Sequence, residues 1–206
     1  MEKIIFDLDN TLIMFDDSYF LDYAKVIGGT KEDGVTLYNI IGKYEMLYHI
    51  YDRIELVDFI NCHMNTNYNY DLIDKINNII SHKWIKNIPE GLDETLNYLS
   101  CKYNLFVLTN WFTECQKERL DNAGILKYFK EVVGSDKCLS KPKCDGYFHI
   151  IGNTDLRNVL VIGDNPNTDI KGAMDVGVKS ILCDYDDKYK KIKTKIKDIR
   201  SLKEML

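Results

Sequence analysis

Residues 3–13 read KIIFDLDNTLI, and this stretch decides the fold. Its apolar run, residues 4–6, is short, continuous and followed by turn-forming residues, which predicts a strand buried on both faces of a parallel sheet. Side chains two positions apart on a strand point the same way, so Asp7 and Asp9 are expected to share one side where that strand ends. Open α/β sheets place their sites at the carboxyl ends of their strands.

Two neighbouring carboxylates repel each other, and one of them ordinarily keeps its proton. A divalent cation removes that conflict, and Mg2+ prefers oxygen ligands. Asp7 and Asp9 therefore predict a cation site. The alternative is a solvated loop, because Asp, Asn and Thr also favour turns.

The composition is that of a folded, water-exposed protein. The chain has 206 residues, of which 45% are apolar and 29% charged, enough for one domain with an insertion or for two small domains. The formal charge of −5 disfavours a nucleic-acid partner. We expect no membrane partner, because no apolar run reaches the length of a span and Asp7 interrupts any signal-peptide core.

The six cysteines are scattered, without a Cys-x-x-Cys pair or the ligand spacing of a zinc site. They predict reduced thiols rather than a disulfide framework. We expect a cytoplasmic protein that is a monomer or a weak homodimer.

Residues 16–86 have helical spacing, because their apolar residues recur three and four positions apart in four groups. We predict that these residues form an all-helical domain, the helical insertion, and that residues 1–15 and 87–206 form a core domain. More than half of the fourteen tyrosines fall in the helical insertion. These tyrosines either line a substrate site or pack in the core of the helical insertion, and their helical spacing favours packing.

Strands and helices alternate after residue 87. The predicted strands are 105–108, 132–134, 159–162 and 180–183, and the predicted helices are 92–99, 113–123, 146–151 and 169–176. This alternation indicates a parallel sheet with right-handed crossovers. The predicted fold class is therefore α/β, a Rossmann-like parallel sheet carrying an inserted helical domain. The lysine-rich segment 188–197 is typical of a solvated loop or helix face.

Polar clusters follow four of the predicted strands. In chain order they are Asp7 with Asp9, Thr109 with Asn110, Lys141, and Asp164 with Asp169. Parallel strands bring their carboxyl ends to one edge of the sheet, so these side chains are expected to converge.

These clusters resemble the four motifs of the haloacid dehalogenase (HAD) superfamily. The matching residues are Asp7-Leu8-Asp9-Asn10-Thr11, Thr109-Asn110, Lys141-Pro142, and Gly163-Asp164 followed by Asp169. More narrowly, the chain resembles members of subfamily IA, whose helical C1 cap is inserted directly after the first motif. The resemblance runs from residue 3 to about residue 183 and rests on the order and spacing of all four motifs.

The resemblance implies a phosphatase that forms an aspartyl-phosphate on Asp7, with Asp9 as general acid and base. It implies that Mg2+ is held by the Asp7 carboxylate, the Asp9 main-chain carbonyl and Asp164, with Asp169 as an outer partner. It further implies that the Thr109 hydroxyl and the Asn110 N–H bind phosphoryl oxygens and that Lys141 balances their charge.

Several alternatives stay open at this point. Asp9 favours phosphate esters over organic halides, because a halide leaving group needs no proton. A phosphosugar mutase would use the same motifs, and a catalytically silent relative would bind a ligand or partner through the helical insertion. Lys143 is an alternative to Lys141 as the lysine of the third motif, although the following Pro142 favours Lys141. The substrate is expected to be a small phosphate ester, with nucleotide, sugar phosphate and phosphoglycolate open and loop residues 28–31 expected to choose among them.

Overall fold

The computed structural model describes residues 1–206 and contains one six-stranded sheet in which every pairing is parallel. The strands are β1 (Lys3–Phe6), β2 (Asn104–Leu108), β3 (Phe129–Val133), β4 (Val159–Gly163), β5 (Lys179–Cys183) and β6 (Lys195–Ile196). Their order across the sheet is β3-β2-β1-β4-β5-β6. This is the order of doubly wound Rossmann-type sheets, so the predicted fold class is confirmed.

Strand β1 lies at the centre of the sheet, paired with β2 on one side and β4 on the other. Ile4 and Phe6 pack into the apolar cluster on one face, and Ile5 packs into the cluster on the opposite face. A central strand covered on both faces needs an unbroken apolar run, which explains why this run could be recognised in the sequence. The winding reverses beside β1, and the loops after β1 and β4 therefore border the crevice where such sheets bind ligands.

Five helices accompany the sheet. They are α5 (Leu92–Ser100), α6 (Thr113–Asn122), α7 (Asp145–Ile151), α8 (Lys171–Asp175) and α9 (Leu202–Met205). Helices α5, α6 and α7 agree with the predicted ranges to within a residue or two. The predicted helix 169–176 is shorter than expected, because a wide π turn, Pro166–Ile170, precedes α8.

Four helices occupy the helical insertion. They are α1 (Tyr19–Ile27), α2 (Lys31–Tyr48), α3 (Arg53–Met64) and α4 (Leu72–Lys83). Their apolar faces form one cluster, which Trp111 and Phe112, both buried, join from the loop after β2. The two aromatic side chains thus lie beneath the helical insertion. We propose that residues 16–86 form one domain and that residues 1–15 and 87–206 form the core domain.

The lysine-rich segment 188–197 is more ordered than predicted, since part of it forms the edge strand β6. Lys195 Nζ lies 2.8 Å from Asp184 Oδ2 and 2.6 Å from Asp187 Oδ1, and these ion pairs fasten the segment to the loop after β5. A two-residue strand is too short to produce a periodic pattern, so the sequence predicted five strands instead of six. No helix of the protein is both long enough and apolar enough to cross a membrane.

Candidate active site

The loop after β1 places Asp7 and Asp9 in different environments. Asp7 is buried, and its backbone N–H still donates to the β4 carbonyl of Ile162 over 2.8 Å. The Thr11 hydroxyl donates to Asp7 Oδ2 over 3.3 Å. Asn10 has a φ of 56°, a left-handed conformation that Asn tolerates better than most residues, and the chain turns there. The Asp9 side chain beyond β1 is 43% exposed.

Lys141 reaches this site from the loop after β3. Its ammonium group contacts Asp7 Oδ1 directly and lies 2.6 Å from Asp169 Oδ1. All three side chains are buried. Lys143 does not line the cleft, so Lys141 is the lysine that the fold brings to the carboxylates.

Asp169 can come this close because residue 163 is glycine. A Cβ on Gly163 would lie 2.4 Å from the Asp169 carboxyl carbon, a distance that real contacts do not reach. Asp169 Oδ2 also accepts the backbone N–H of Asn165 over 3.0 Å. The position of Asp169, and through it that of Lys141, thus depends on a missing side chain at the end of β4.

Three carboxylates form one cluster beside Lys141. Oxygens of Asp7, Asp164 and Asp169 all lie within 4.8 Å of one another. Burial, partly offset by Lys141, raises the pKa of Asp7 well above its usual range. Burial and the neighbouring Asp169 raise the pKa of Asp164 to about 7.

Burial by itself would lower the pKa of the Lys141 ammonium, but Asp169 and Asp7 outweigh it, and this pKa lies well above the ordinary value. Lys141 therefore stays charged, yet one ammonium cannot neutralise three carboxylates. A hard divalent cation such as Mg2+ prefers oxygen donors, which these carboxylates supply, and it would relieve their repulsion. The residues present are thus suited to hold that ion.

Thr109 and Asn110 follow β2 at the same edge of the sheet. Thr109 is buried, and its hydroxyl oxygen accepts a hydrogen bond from Gln116 Nε2 over 3.3 Å. The Asn110 side chain grips the backbone of Lys141, because Oδ1 accepts the Lys141 N–H over 2.8 Å and Nδ2 donates to the Lys141 carbonyl over 3.2 Å. Asn110 therefore positions the loop that carries Lys141.

A cleft of about 520 Å³ opens over these groups. Every site residue predicted from the sequence lines it: Asp7, Asp9, Thr109, Asn110, Lys141, Asp164 and Asp169. Residues separated by more than 150 positions in the chain thus face one space between the sheet edge and the helical insertion.

Sequence reasoning missed Arg119, which lies on α6 and is only 1% exposed. Its Nη1 donates to Asp9 Oδ1 over 2.8 Å and its Nε to the Trp84 carbonyl over 2.9 Å. Nη2 is buried without a hydrogen-bond partner. An arginine among the polar residues of α6 gives no sign that it points inward.

Sequence reasoning also missed Glu45, because nothing in the sequence marks which side chains of the helical insertion face the cleft. One of its oxygens accepts from Asn110 Nδ2 over 2.8 Å and the other accepts from the Tyr51 hydroxyl over 2.9 Å. Burial raises the pKa of Glu45. Glu45 is the charged side chain that the helical insertion contributes to the cleft, and its contact with Asn110 links α2 to the edge of the sheet.

A doubly wound sheet with this arrangement of carboxylates, lysine and a Thr-Asn pair, and with helices inserted after its first strand, defines the haloacid dehalogenase-like class of proteins. The sequence model of the family described as haloacid dehalogenase-like hydrolase matches residues 4–183, and the chain belongs to that family. The resemblance noted from the motifs is therefore confirmed, and the chain is a HAD-family hydrolase.

Three relatives have similar sequences. PynA, a pyrimidine 5′-nucleotidase of Streptococcus pneumoniae, is 24% identical over 197 residues, which cover 86% of this chain and 81% of PynA. YjjG, a pyrimidine 5′-nucleotidase of Escherichia coli, is 29% identical over 92 residues, covering 43% of this chain and 41% of YjjG. YfnB of Bacillus subtilis, named as a HAD-hydrolase, is 27% identical over 103 residues, 48% of this chain and 44% of YfnB. The matched segments thus span less than half the length of YfnB and YjjG.

Solved structures share the fold over the whole chain. The magnesium-bound crystal structure of YfnB has a TM-score of 0.80 at 20% identity and covers 100% of this chain and 98% of its own. L-2-haloacid dehalogenase of Xanthobacter autotrophicus has a TM-score of 0.72 at 14% identity, with coverages of 100% and 98%. At such identities the likeness establishes the common fold.

Proposed function

We propose that this protein is a Mg2+-dependent phosphatase that hydrolyses a small phosphorylated metabolite through an aspartyl-phosphate on Asp7. The observation that carries the proposal is the buried Asp7 carboxylate, which contacts Lys141 and faces the cleft beside Asp164 and Asp169. The names of PynA and YjjG support a phosphate ester as substrate, because both are called nucleotidases.

In the first step, an Asp7 oxygen attacks phosphorus, and the bond from phosphorus to the ester oxygen breaks. Two unit charges 4 Å apart at an effective dielectric of about 20 interact by about 4 kcal/mol, so an anionic nucleophile and a phosphate dianion need compensating charge. Lys141 supplies part of that charge, while the Thr109 hydroxyl and the Asn110 N–H bind phosphoryl oxygens. Asp169 holds Lys141 in place.

The remaining positive charge is assigned to Mg2+. The Asp7 carboxylate, the Asp9 main-chain carbonyl and Asp164 would hold the ion, and when bound it would supply charge neutralisation at the phosphoryl group. Asp169 would act as an outer partner through its contacts with Lys141 and the Asn165 backbone.

Asp9 is proposed as the general acid and base. Its half-exposed carboxyl donates a proton to the leaving oxygen in the first step. In the second step it takes a proton from a water molecule, whose oxygen bonds to phosphorus while the bond to Asp7 breaks and the free carboxylate returns. Phosphate leaves, and the protonated Asp9 is ready for the next substrate.

Two other activities, and a protein without activity, are compatible with the fold. A dehalogenase needs no proton donor for a halide, so Asp9 favours phosphate esters. A phosphosugar mutase would return the phosphoryl group from Asp7 to a second hydroxyl instead of to water. A catalytically silent relative would be expected to lack a motif residue, and each of the seven predicted residues is present in the cleft.

The test is hydrolysis of a chromogenic aryl phosphate, first with Mg2+ and then with EDTA in excess. We expect turnover that needs the metal and that releases inorganic phosphate in equal amount to the aryl alcohol. Absence of metal-dependent turnover would favour a binding protein. Transfer of phosphate to an added sugar phosphate, faster than to water, would favour the mutase.

A further inference from the structure

One face of α2 forms a wall of the cleft. Tyr38, Gly42 and Met46 are spaced by four residues, so they lie above one another on that face. All three line the cleft, with Tyr38 42% and Met46 70% exposed. Loop residues 28–31, which were expected to choose the substrate, do not line it. The residues that select the substrate are therefore expected on α2 rather than in loop residues 28–31.

Gly42 has no role in the fold that would require glycine. It lies in the middle of an 18-residue helix, where glycine costs about 0.5–1 kcal/mol relative to alanine. A Cβ on Gly42 would meet no atom within 4 Å, whereas a Cβ on Gly34 of the same helix would lie 2.0 Å from the Phe20 carbonyl oxygen. Close packing against Phe20 explains the glycine at position 34, but no such contact explains the glycine at position 42. The missing side chain at Gly42 leaves an open space on the cleft wall between Tyr38 and Met46.

The charges of the cleft restrict what can fill that place. Its two cationic side chains, Lys141 and Arg119, already contact carboxylates. The helical insertion adds one charged side chain to the cleft, and this is the acidic Glu45. A substrate with a carboxylate or a second phosphate on its leaving group would find no cation among the α2 residues that line the cleft, and Glu45 would repel it. An uncharged leaving group meets no such penalty.

We propose that Tyr38, Asn39, Gly42 and Met46 form a subsite for an uncharged, flat leaving group such as a nucleoside. The inference rests on the proposed phosphatase function and names its substrate class. The aromatic ring of Tyr38 and the sulfur of Met46 offer apolar contacts to a flat ring. The missing side chain at Gly42 lets that ring approach the helix backbone. The amide of Asn39, which also lines the cleft, offers a donor and an acceptor to the polar edge of the ring.

The test compares Gly42→Leu with Thr36→Leu, which adds the same side chain to an exposed position of α2 that does not line the cleft. Each variant and the wild type are assayed with uridine 5′-monophosphate and with acetyl phosphate, whose small leaving group carries no ring. We expect the ratio of kcat/KM for the nucleotide to kcat/KM for acetyl phosphate to fall about tenfold or more in Gly42→Leu. In Thr36→Leu it should stay within about twofold. The wild type should also prefer the nucleotide to phosphoglycolate.

A binding measurement separates this subsite from the proposed reaction. Trp84 and Trp111 both line the cleft, so uridine 5′-monophosphate binding with Mg2+ can be followed by tryptophan fluorescence in an Asp7→Asn background, in which the nucleotide should not be turned over. We expect Kd to rise about tenfold in Gly42→Leu and not in Thr36→Leu. Binding that depends on Gly42, without hydrolysis of any ester, would support the subsite and refute the phosphatase. Hydrolysis with an unchanged ratio in Gly42→Leu, or a preference for phosphoglycolate, would refute the subsite and leave the phosphatase standing.

Discussion

The Arg119 guanidinium lies 2.8 Å from the Asp9 carboxylate, Nη1 to Oδ1, although 110 positions separate the two residues. The same guanidinium donates through Nε to the carbonyl of Trp84, the residue that follows α4. Arg119 is buried and Asp9 half exposed, so a buried side chain holds the exposed carboxylate. The carboxylate proposed as general acid and base is thereby tied to the point where the helical insertion rejoins the core.

Arg119→Met should lower kcat about tenfold to a hundredfold with a smaller change in KM, because an unheld Asp9 carboxyl is misaligned for proton transfer. Arg119→Lys should recover part of the loss, since an ammonium keeps the charge but cannot bond Asp9 and the Trp84 carbonyl as a fork. The measurement is steady-state kinetics beside a thermal melt, with the exposed Arg157→Met as control. A loss of activity that only follows the unfolded fraction would contradict the positioning role.

Asp7→Asn should abolish turnover, by about a thousandfold or more, while the melting temperature changes little. The amide has the shape of the carboxylate and can still accept a hydrogen bond from Lys141, but it is a poor nucleophile. Hydrolysis of an aryl phosphate and a thermal melt are the measurements, with the exposed Asp121→Asn as the matched control. Turnover close to that of the wild type would refute the assignment of Asp7 as nucleophile.

Asp9→Asn should slow the second step more than the first when the substrate is an aryl phosphate, since an aryl oxide leaves with little help from an acid. Phosphoenzyme would then accumulate, and intact-mass measurement should show the added phosphoryl group. The double variant Asp7→Asn with Asp9→Asn serves as control and should show no added mass. If Asp9→Asn hydrolyses the substrate normally, its acid and base role is wrong.

Mg2+ should raise the melting temperature of the wild type, because it binds the clustered carboxylates of the folded state and relieves their repulsion. A free ion at a hundred times its Kd adds about 2.7 kcal/mol to the free energy of unfolding. Asp164→Asn should raise the Mg2+ concentration for half-maximal activity by about tenfold or more and reduce the thermal shift. Asp155→Asn, in an exposed loop, should leave both unchanged. Equal Mg2+ responses in the two variants would remove Asp164 from the proposed ligands.

Much of the fold was predictable because its signals are local. The apolar run of β1 and the later strands could be recognised from short segments, since a parallel sheet buries both faces of each strand. Helical spacing likewise located the four helices of the helical insertion. The edge strand β6 was missed because two residues are too few to show a periodic pattern. Its position is set by the contacts of Lys195 with Asp184 and Asp187.

The sequence by itself determined that Asp7, Thr109, Lys141 and Asp164 would meet, because each follows a strand and parallel strands end at one edge. It could not determine that Arg119 turns inward to Asp9. That contact depends on how α6 packs against α4 and the end of the helical insertion, a long-range arrangement without a local pattern. The open space at Gly42 also depends on long-range packing. The sequence shows only a glycine within a helix, whereas the tertiary structure shows that the missing side chain leaves space on the wall of the cleft.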